Sequence, residues 1–392
     1  MMLRVMSKTL VLMFSGIVGQ FFTLDSSHAN TFMHWHGFLS QGYLATNENN
    51  LFGNTEAGSI DFRELGINAS YRPYRRTRLA GQIISRTAGK SDTGEPDLDY
   101  LFVDYSAYSQ NTIGLNLYLG RVKNPFGFHN ESRDMIFTRP GIILPQSIYF
   151  DRVRDLALSS DGFQLSSEYR LKGSYIDLRA GYVLPRLDSG TEVSLFRSDL
   201  PGDLKGKPLL VSRIQYSTTD ERFKLAYTHF DFNAEFDFPD DSVGEIRFVP
   251  QIVSVKYSVG ILELLGEYAR RTFYFKNFPL PEKQIGESYY LQLQFLLSDS
   301  WKIVGRVDQF YADVNDRDGS EFAQQKGFAV PAHSRFARDY SLGLIWSRGN
   351  WLAAIEHHRV DGTGWLPVQD NLDLSKTERQ WNMWGVMLSM RF

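Results

Sequence analysis

From residue 30 onward, apolar residues recur at every second position rather than every third or fourth, and this pattern fixes how most of the chain can fold. Between Thr112 and Val122, Ile113, Leu115, Leu117 and Leu119 share one face, and Gly114, Asn116, Tyr118 and Gly120 share the other. Leu101, Val103, Tyr105 and Ala107 oppose Tyr100, Phe102, Asp104 and Ser106 in the same way. The alternation returns with Ile176, Leu178, Ala180 and Tyr182, and again with Tyr340, Leu342, Leu344 and Trp346. A period of two is that of strands with one apolar face.

Sixteen segments carry it: 32–46, 58–72, 77–88, 98–108, 112–122, 163–171, 174–184, 207–217, 221–232, 246–258, 261–273, 286–298, 300–312, 336–347, 350–360 and 379–392. After the even-numbered segments, up to the fourteenth, the connection is a few residues, as at 109–111, 172–173, 218–220 and 348–349. After the odd-numbered ones it is roughly ten to forty residues. Short and long connections in strict alternation mean antiparallel neighbours with every tight turn at one end. Soluble sandwiches rarely run to sixteen consecutive strands of about eleven residues. An even number of strands of about 9–11 residues fits a transmembrane barrel instead. In lipid every backbone N–H and C=O needs a partner, and a closed sheet supplies one without leaving an edge. The expected fold is therefore all-β, a sixteen-stranded antiparallel transmembrane β-barrel over residues 30–392, in one domain.

Composition agrees. Twenty Tyr, 29 Phe and 7 Trp make up 14% of the chain and favour strands. A net charge of −3 offers no basic field for nucleic acid. The absence of cysteine excludes disulfides, thiolate metal sites, a thiol nucleophile and a lipid anchor on cysteine. At the N-terminus, Arg4 and Lys8 precede the apolar run TLVLMFSGIVGQFF (9–22), and Ser27-His28-Ala29 follows. That order predicts a secretory signal peptide over 1–29, cut after Ala29. No later stretch reaches the roughly 20 apolar residues of a spanning helix.

Aromatic residues mark the strand ends. Trp35, Tyr43, Tyr71, Tyr105, Tyr182, Tyr216, Tyr227, Tyr268, Trp301, Trp346, Trp351 and Trp384 fall where girdles would meet lipid headgroups. The last stretch, WGVMLSMRF (384–392), puts Trp384, Val386, Leu388, Met390 and Phe392 on one face, as a lipid-facing strand closing against the first.

The segments GRVKNPFGF (120–128), TRP (138–140), LPQSIYFD (144–151) and LALSSDG (156–162) resemble the third strand pair and constriction loop of Gram-negative outer-membrane porins of the phosphate-selective porin O and P superfamily. The strand and loop plan and the terminal aromatic extend that resemblance over the mature chain. It implies a passive diffusion channel, usually trimeric, with the long third extracellular loop folded into the lumen. It also implies that Phe392 belongs to the signal read by the barrel assembly machinery. The dense Lys and Arg lining of the phosphate-selective type is missing, so phosphate selectivity does not carry over.

The inward parity proposes a lumen lining of mixed sign: Arg78, Gln82, Arg86, Asp104, Glu168, Arg170, Asp177, Arg179, Arg213, Gln215, Lys224, Glu263, Glu267, Arg271, Lys302, Arg306 and Asp308. Opposed acidic and basic walls would sort solutes by charge and size, although such residues also pair and stiffen the wall. The third long connection, Lys123 to Gly162, is far longer than a structureless loop in a compact domain. Its Pro125, Phe126, Phe128, Ile142, Ile143, Leu144, Ile148, Tyr149 and Phe150 need somewhere apolar to pack, and the lumen offers it, with a course outward over the mouth as the alternative. The pore-constriction candidates on it are Arg133, Asp134, Arg139, Arg152, Arg154 and Asp155, the arginines facing lumenal acids or passing solutes.

Other motifs fail. His34 and His36 share a strand face, and His357 and His358 adjoin Glu356, but neither pair has a full metal-ligand set. The run DVNDRDG (313–319) breaks the calcium-loop pattern. No Gly-x-Ser-x-Gly elbow, HExxH or phosphate-binding loop is present. The sequence thus predicts a non-enzymatic channel without a cofactor, passing small hydrophilic solutes or ions through the Gram-negative outer membrane. Lipid, lipopolysaccharide and the assembly machinery are its expected partners, and a homotrimer its expected state. A barrel enzyme or adhesin without an open pore is the competing reading.

Overall fold

The computed structural model describes residues 33–187, 189–196, 201–278 and 281–392. The expected signal peptide, 1–29, lies outside the described residues. Strands follow one another as β1 (Met33–Thr46), β2 (Ser59–Tyr74), β3 (Thr77–Ala88), β4 (Thr93–Ser109), β5 (Ile113–Lys123), β6 (Ser159–Leu171), β7 (Ser174–Pro185), β8 (Asp203–Gly206) and β9 (Leu209–Thr218). The series continues with β10 (Phe223–Asp237), β11 (Val243–Val259), β12 (Leu262–Lys276), β13 (Lys283–Leu296), β14 (Trp301–Tyr311), β15 (Phe336–Arg348), β16 (Trp351–Gly362) and β17 (Gln380–Arg391).

Sixteen of them form a closed antiparallel barrel, each paired to its chain neighbours, with β17 returning to β1. β8 is a four-residue addition that pairs only with the far end of β10. It was not anticipated, because four residues are too few to show a period. β10 to β13 also run past the expected ends toward the long-loop side, pairing Asp237 with Val243 and Glu245 with Lys276.

The seam follows the expected parity. Trp384, Val386 and Leu388 face outward, while Met383, Met387 and Ser389 are buried. Beyond the last ladder pair, Phe392 and Gly37 exchange both backbone hydrogen bonds at 2.9 Å. The Phe392 ring occupies the place a side chain on residue 37 would take, since a Cβ there would stand 2.4 Å from it. The aromatic set behaves as a girdle: of the twelve residues, all but Trp346 are exposed on the outer face. Leu101, Leu119, Leu178 and Leu342 fill the band between them. An exterior this apolar is at equilibrium in hydrocarbon rather than in water.

The buried face is two-natured. One apolar cluster joins Leu44, Phe62, Phe310, Ile345, Trp381 and Met387 from the strands with Ile136, Ile142 and Ile143 from the long connection between β5 and β6. A second joins Val211, Phe230, Ile252 and Leu265 with Phe126, Leu144, Ile148 and Tyr149 from the same connection. Between them lie the charged residues.

Candidate functional site

The connection 124–158 contributes polar groups that reach β2, β3, β9, β12, β14 and β16, among other strands. Arg139 donates to Glu64 on β2 with both terminal nitrogens. Arg86 on β3 contacts Asp151 at 3.1 Å, and Arg213 on β9 donates to the Gly127 carbonyl at 3.1 Å. The Tyr149 hydroxyl donates to Glu267 on β12 at 2.5 Å. The Ser147 backbone N–H points to Asp308 on β14 at 3.3 Å, and that of Ile143 to Glu356 on β16 at 3.1 Å. Attachment at so many points holds a segment of this length in one shape and removes the solvation its backbone would otherwise need.

Glu267 shows how thoroughly one anchor is satisfied. Its carboxylate accepts from the Phe128 N–H at 2.9 Å, Tyr149, Tyr290 at 2.9 Å and Ser254, which fills its acceptor capacity. Gly127 makes that approach possible: its φ of +60° is left-handed, and a Cβ would stand 2.8 Å from a Glu267 oxygen.

The charges expected on the loop are occupied by acids and bases of the protein itself. Arg133 is buried, 3.1 Å from Asp151, and donates to the Tyr149 carbonyl. Arg154 pairs with Asp134, which also takes Lys123. Burial pushes the Asp151 carboxyl up, but Arg86, Arg133 and Arg154 together outweigh it and hold it at about 2. The Arg152 side chain lies outside those described, and Asp155 is half-buried.

On the strands, Arg78 pairs with Asp104 at 3.1 Å. Arg179 and Arg213 both pair with Glu131 of the loop, beside Asp177. Burial raises the Glu131 carboxyl, but Arg213 and Arg179 bring it below the ordinary value. Glu263 pairs with Lys256 at 2.6 Å. Glu168 and Arg170 pair with each other in the open, near a tight turn. Arg271 donates to the carbonyls of Glu287 and Tyr311 and lies 4.4 Å from the Phe310 ring centroid.

Several members of the site escaped sequence reasoning. Glu64, Asp99, Glu131 and Asp151 supply the counter-charges named above or, for Asp99, a 3.0 Å contact with Lys123. His358, named above only as one of a pair without a full metal-ligand set, is buried with Nδ1 2.8 Å from Asp339 and Nε2 3.4 Å from Glu356. The adjacent His357 instead faces outward onto Trp384, ring centroids 4.4 Å apart. Alternation alone separates the two, and it was the available signal.

Two cavities flank the loop. One, of about 470 Å³, is lined by Arg86, Lys90, Arg154 and Arg186 together with Asp92, Glu95, Asp97, Asp99, Asp151 and Asp155, on the long-loop side. The other, of about 320 Å³, lies toward the tight turns and is lined by Arg139, Arg213, Lys224, Lys256 and Lys302 against Glu131 and Glu263. The first is mixed with an acidic excess; the second is predominantly basic.

A closed sixteen-stranded barrel, apolar outside and charged inside, has counterparts among solved structures. The outer membrane channel DcaP of Acinetobacter baumannii matches with a TM-score of 0.59 at 12% identity, over 94% of this chain and 100% of that one. The fold is that of the outer-membrane porins. An anion-selective porin from Comamonas acidovorans matches with a TM-score of 0.54 at 10% identity, over 92% and 99%. OmpT of Vibrio cholerae, solved in a trimer form, matches with 0.55 at 10%, over 92% and 99%. No protein-family model and no curated protein matches the chain.

Proposed function

We propose that this chain is a Gram-negative outer-membrane porin, a water-filled channel for passive diffusion of small hydrophilic solutes or ions, and not an enzyme. The observation that carries the reading is the division of the barrel's two faces. Its exterior presents leucines between aromatic girdles, and its interior presents Arg, Asp and Glu in quantity, with Lys224, Lys256 and Lys302 lining a cavity. The connection 124–158 is the constriction: its bonds to β2, β3, β9, β12, β14 and β16 support a course across the lumen rather than over the mouth. Arg133, Asp134, Arg139, Arg154 and Asp155 then stand at or near the narrowest level, and the two cavities are its outer and inner vestibules.

Residues 1–29 serve as a cleaved signal peptide, and Phe392 as part of the address read by the assembly machinery. The assembled state is a homotrimer in lipid and lipopolysaccharide, supported by the trimer form of one structural counterpart. The phosphate-selective subfamily is not proposed.

Liposome swelling tests the reading. Vesicles containing the folded barrel should swell in isotonic arabinose at rates that fall with larger sugars. Swelling no faster than empty vesicles would overturn it.

A further inference from the structure

The tight turn between β2 and β3 and its flanks read YRPYRRTR (71–78), in which arginine and tyrosine are concentrated as at no other tight turn. Its course is fixed. Tyr74 pairs with Thr77, and Thr77 with Tyr105 of β4, so the three form one row across three strands. The Ser106 N–H donates to the Arg76 carbonyl at 2.8 Å and ties the turn to β4. Arg75 and Arg76 therefore stand one step beyond the row, and Arg72 lies in the register shift between Tyr71 and Tyr74.

The charge of this turn is not balanced within the protein. Arg78 is paired with Asp104 at 3.1 Å. Arg72, Arg75 and Arg76 are exposed, and among the described residues their side chains have no ion pair, hydrogen bond or ring contact. Across residues 33–38, 66–82 and 101–117, the parts of β1 to β5 nearest the tight turns, Asp104 is the only acidic side chain, and Arg78 has taken it.

The surroundings are those of a membrane surface. Tyr71, Tyr105 and Tyr108 are exposed on the outer face, and Leu79 and Leu101 continue the apolar band toward the middle of the barrel. Tyr74 is 74% exposed, and a phenol so open beside an apolar band suits the boundary between acyl chains and water. Cations one step beyond such a girdle lie at headgroup level.

We propose that this turn is a docking site for the headgroup of an anionic phospholipid, with Arg72, Arg75 and Arg76 on its phosphate and Tyr74 and Tyr105 beside its acyl chains. Guanidinium forks match phosphate oxygens in pairs, and three of them meet no competing acid here. The site rests on reading the chain as an outer-membrane barrel whose tight turns meet the periplasmic leaflet. A lipid held there fixes the depth of the β2–β3 edge in the membrane.

Native mass spectrometry tests it by counting lipids on the full chain, folded in a neutral detergent and titrated with phosphatidylglycerol or phosphatidylcholine. The first phosphatidylglycerol should bind about tenfold more tightly than phosphatidylcholine. Each neutralised arginine should cost about fivefold, so Arg75→Gln combined with Arg76→Gln should weaken phosphatidylglycerol about 25-fold. Arg75→Lys combined with Arg76→Lys should retain most of the affinity. Lys172→Gln combined with Arg348→Gln, the cations of two other tight turns, should leave it unchanged. Equal affinity for the two lipids, or no loss in the glutamine pair at the turn, overturns the proposal. An equal loss from the Lys172 and Arg348 pair also overturns it, by spreading the preference over the whole rim. So does glycerol 1-phosphate binding as tightly as the lipid, which would make this a site for a free phosphate. Folding is checked by heat-modifiable mobility, and should the glutamine pair fail to fold, Arg72→Gln alone decides. A barrel that conducts without a lipid preference keeps the channel reading and loses this site, and one with the preference but no conductance does the reverse.

Discussion

Arg139 grips Glu64 with both terminal nitrogens, Nη1 to Oε1 at 3.0 Å and Nη2 to Oε2, and Glu64 is wholly buried on β2. Arg86 stands 3.4 Å from the same carboxylate, so one acid holds a loop cation and a wall cation together. Removing one partner of a buried pair leaves the other charge uncompensated, at a cost of about 3–5 kcal/mol.

Glu64→Ala should therefore destabilise the barrel by about 3–5 kcal/mol, read as a lowered urea midpoint for heat-modifiable mobility. It should also add open-channel current noise as the loop loses its tie to β2. A change below about 1 kcal/mol would mean that the pair is as weak as a surface bridge.

Tyr149→Phe removes a single oxygen that donates to Glu267 and accepts from the His129 N–H at 2.9 Å. The carboxylate keeps three donors, so the loss should be about 1–3 kcal/mol, the cost of leaving a buried group unsatisfied. Denaturant titration of wild type and variant measures it. Equal midpoints would show the anchor to be dispensable.

Acid should act through Asp151. Its carboxyl titrates at about 2 in the folded chain, below its ordinary 3.8, so its contribution is complete above about pH 4 and is lost as pH falls toward 2. The wild-type midpoint should decline across that window, and Asp151→Asn, which removes the acid paired with Arg133 and one of those paired with Arg86, should start lower and decline less. Parallel curves for the two proteins would remove Asp151 from the explanation.

Gly37 and Phe392 give a test at the seam. Gly37→Val places methyl groups where the Phe392 ring lies, and deletion of Phe392 removes the two backbone bonds that end the closure. Both changes should leave export across the inner membrane intact and reduce heat-modifiable barrel in outer-membrane fractions, the deletion more. Normal yields from both would separate the terminal residue from assembly.

The barrel was legible in the chain because alternation is a local property: each strand writes its two faces into consecutive residues, as Leu117 and Tyr118 do. The strand extensions of β10 to β13 were not, since the same alternation continues past the lipid band and carries no mark of where the girdle ends. Parity also put Arg86, Arg213, Glu267, Arg306 and Asp308 on the inward face as lumen lining, and the structure buries them there. It could not say who pairs with whom, because partners such as Arg139 and Glu64 lie 75 residues apart and meet only through loop course and register. Glu168 and Arg170 had the right parity but sit too near a turn to be buried.

Single-channel recording in planar bilayers tests the central claim most directly. The folded full-length barrel, added in detergent below micellar concentration, should insert in discrete conductance steps, each a multiple of one unit, that persist at low voltage. Heat-modifiable, membrane-inserted barrel that gives no conductance steps at any voltage would contradict the account.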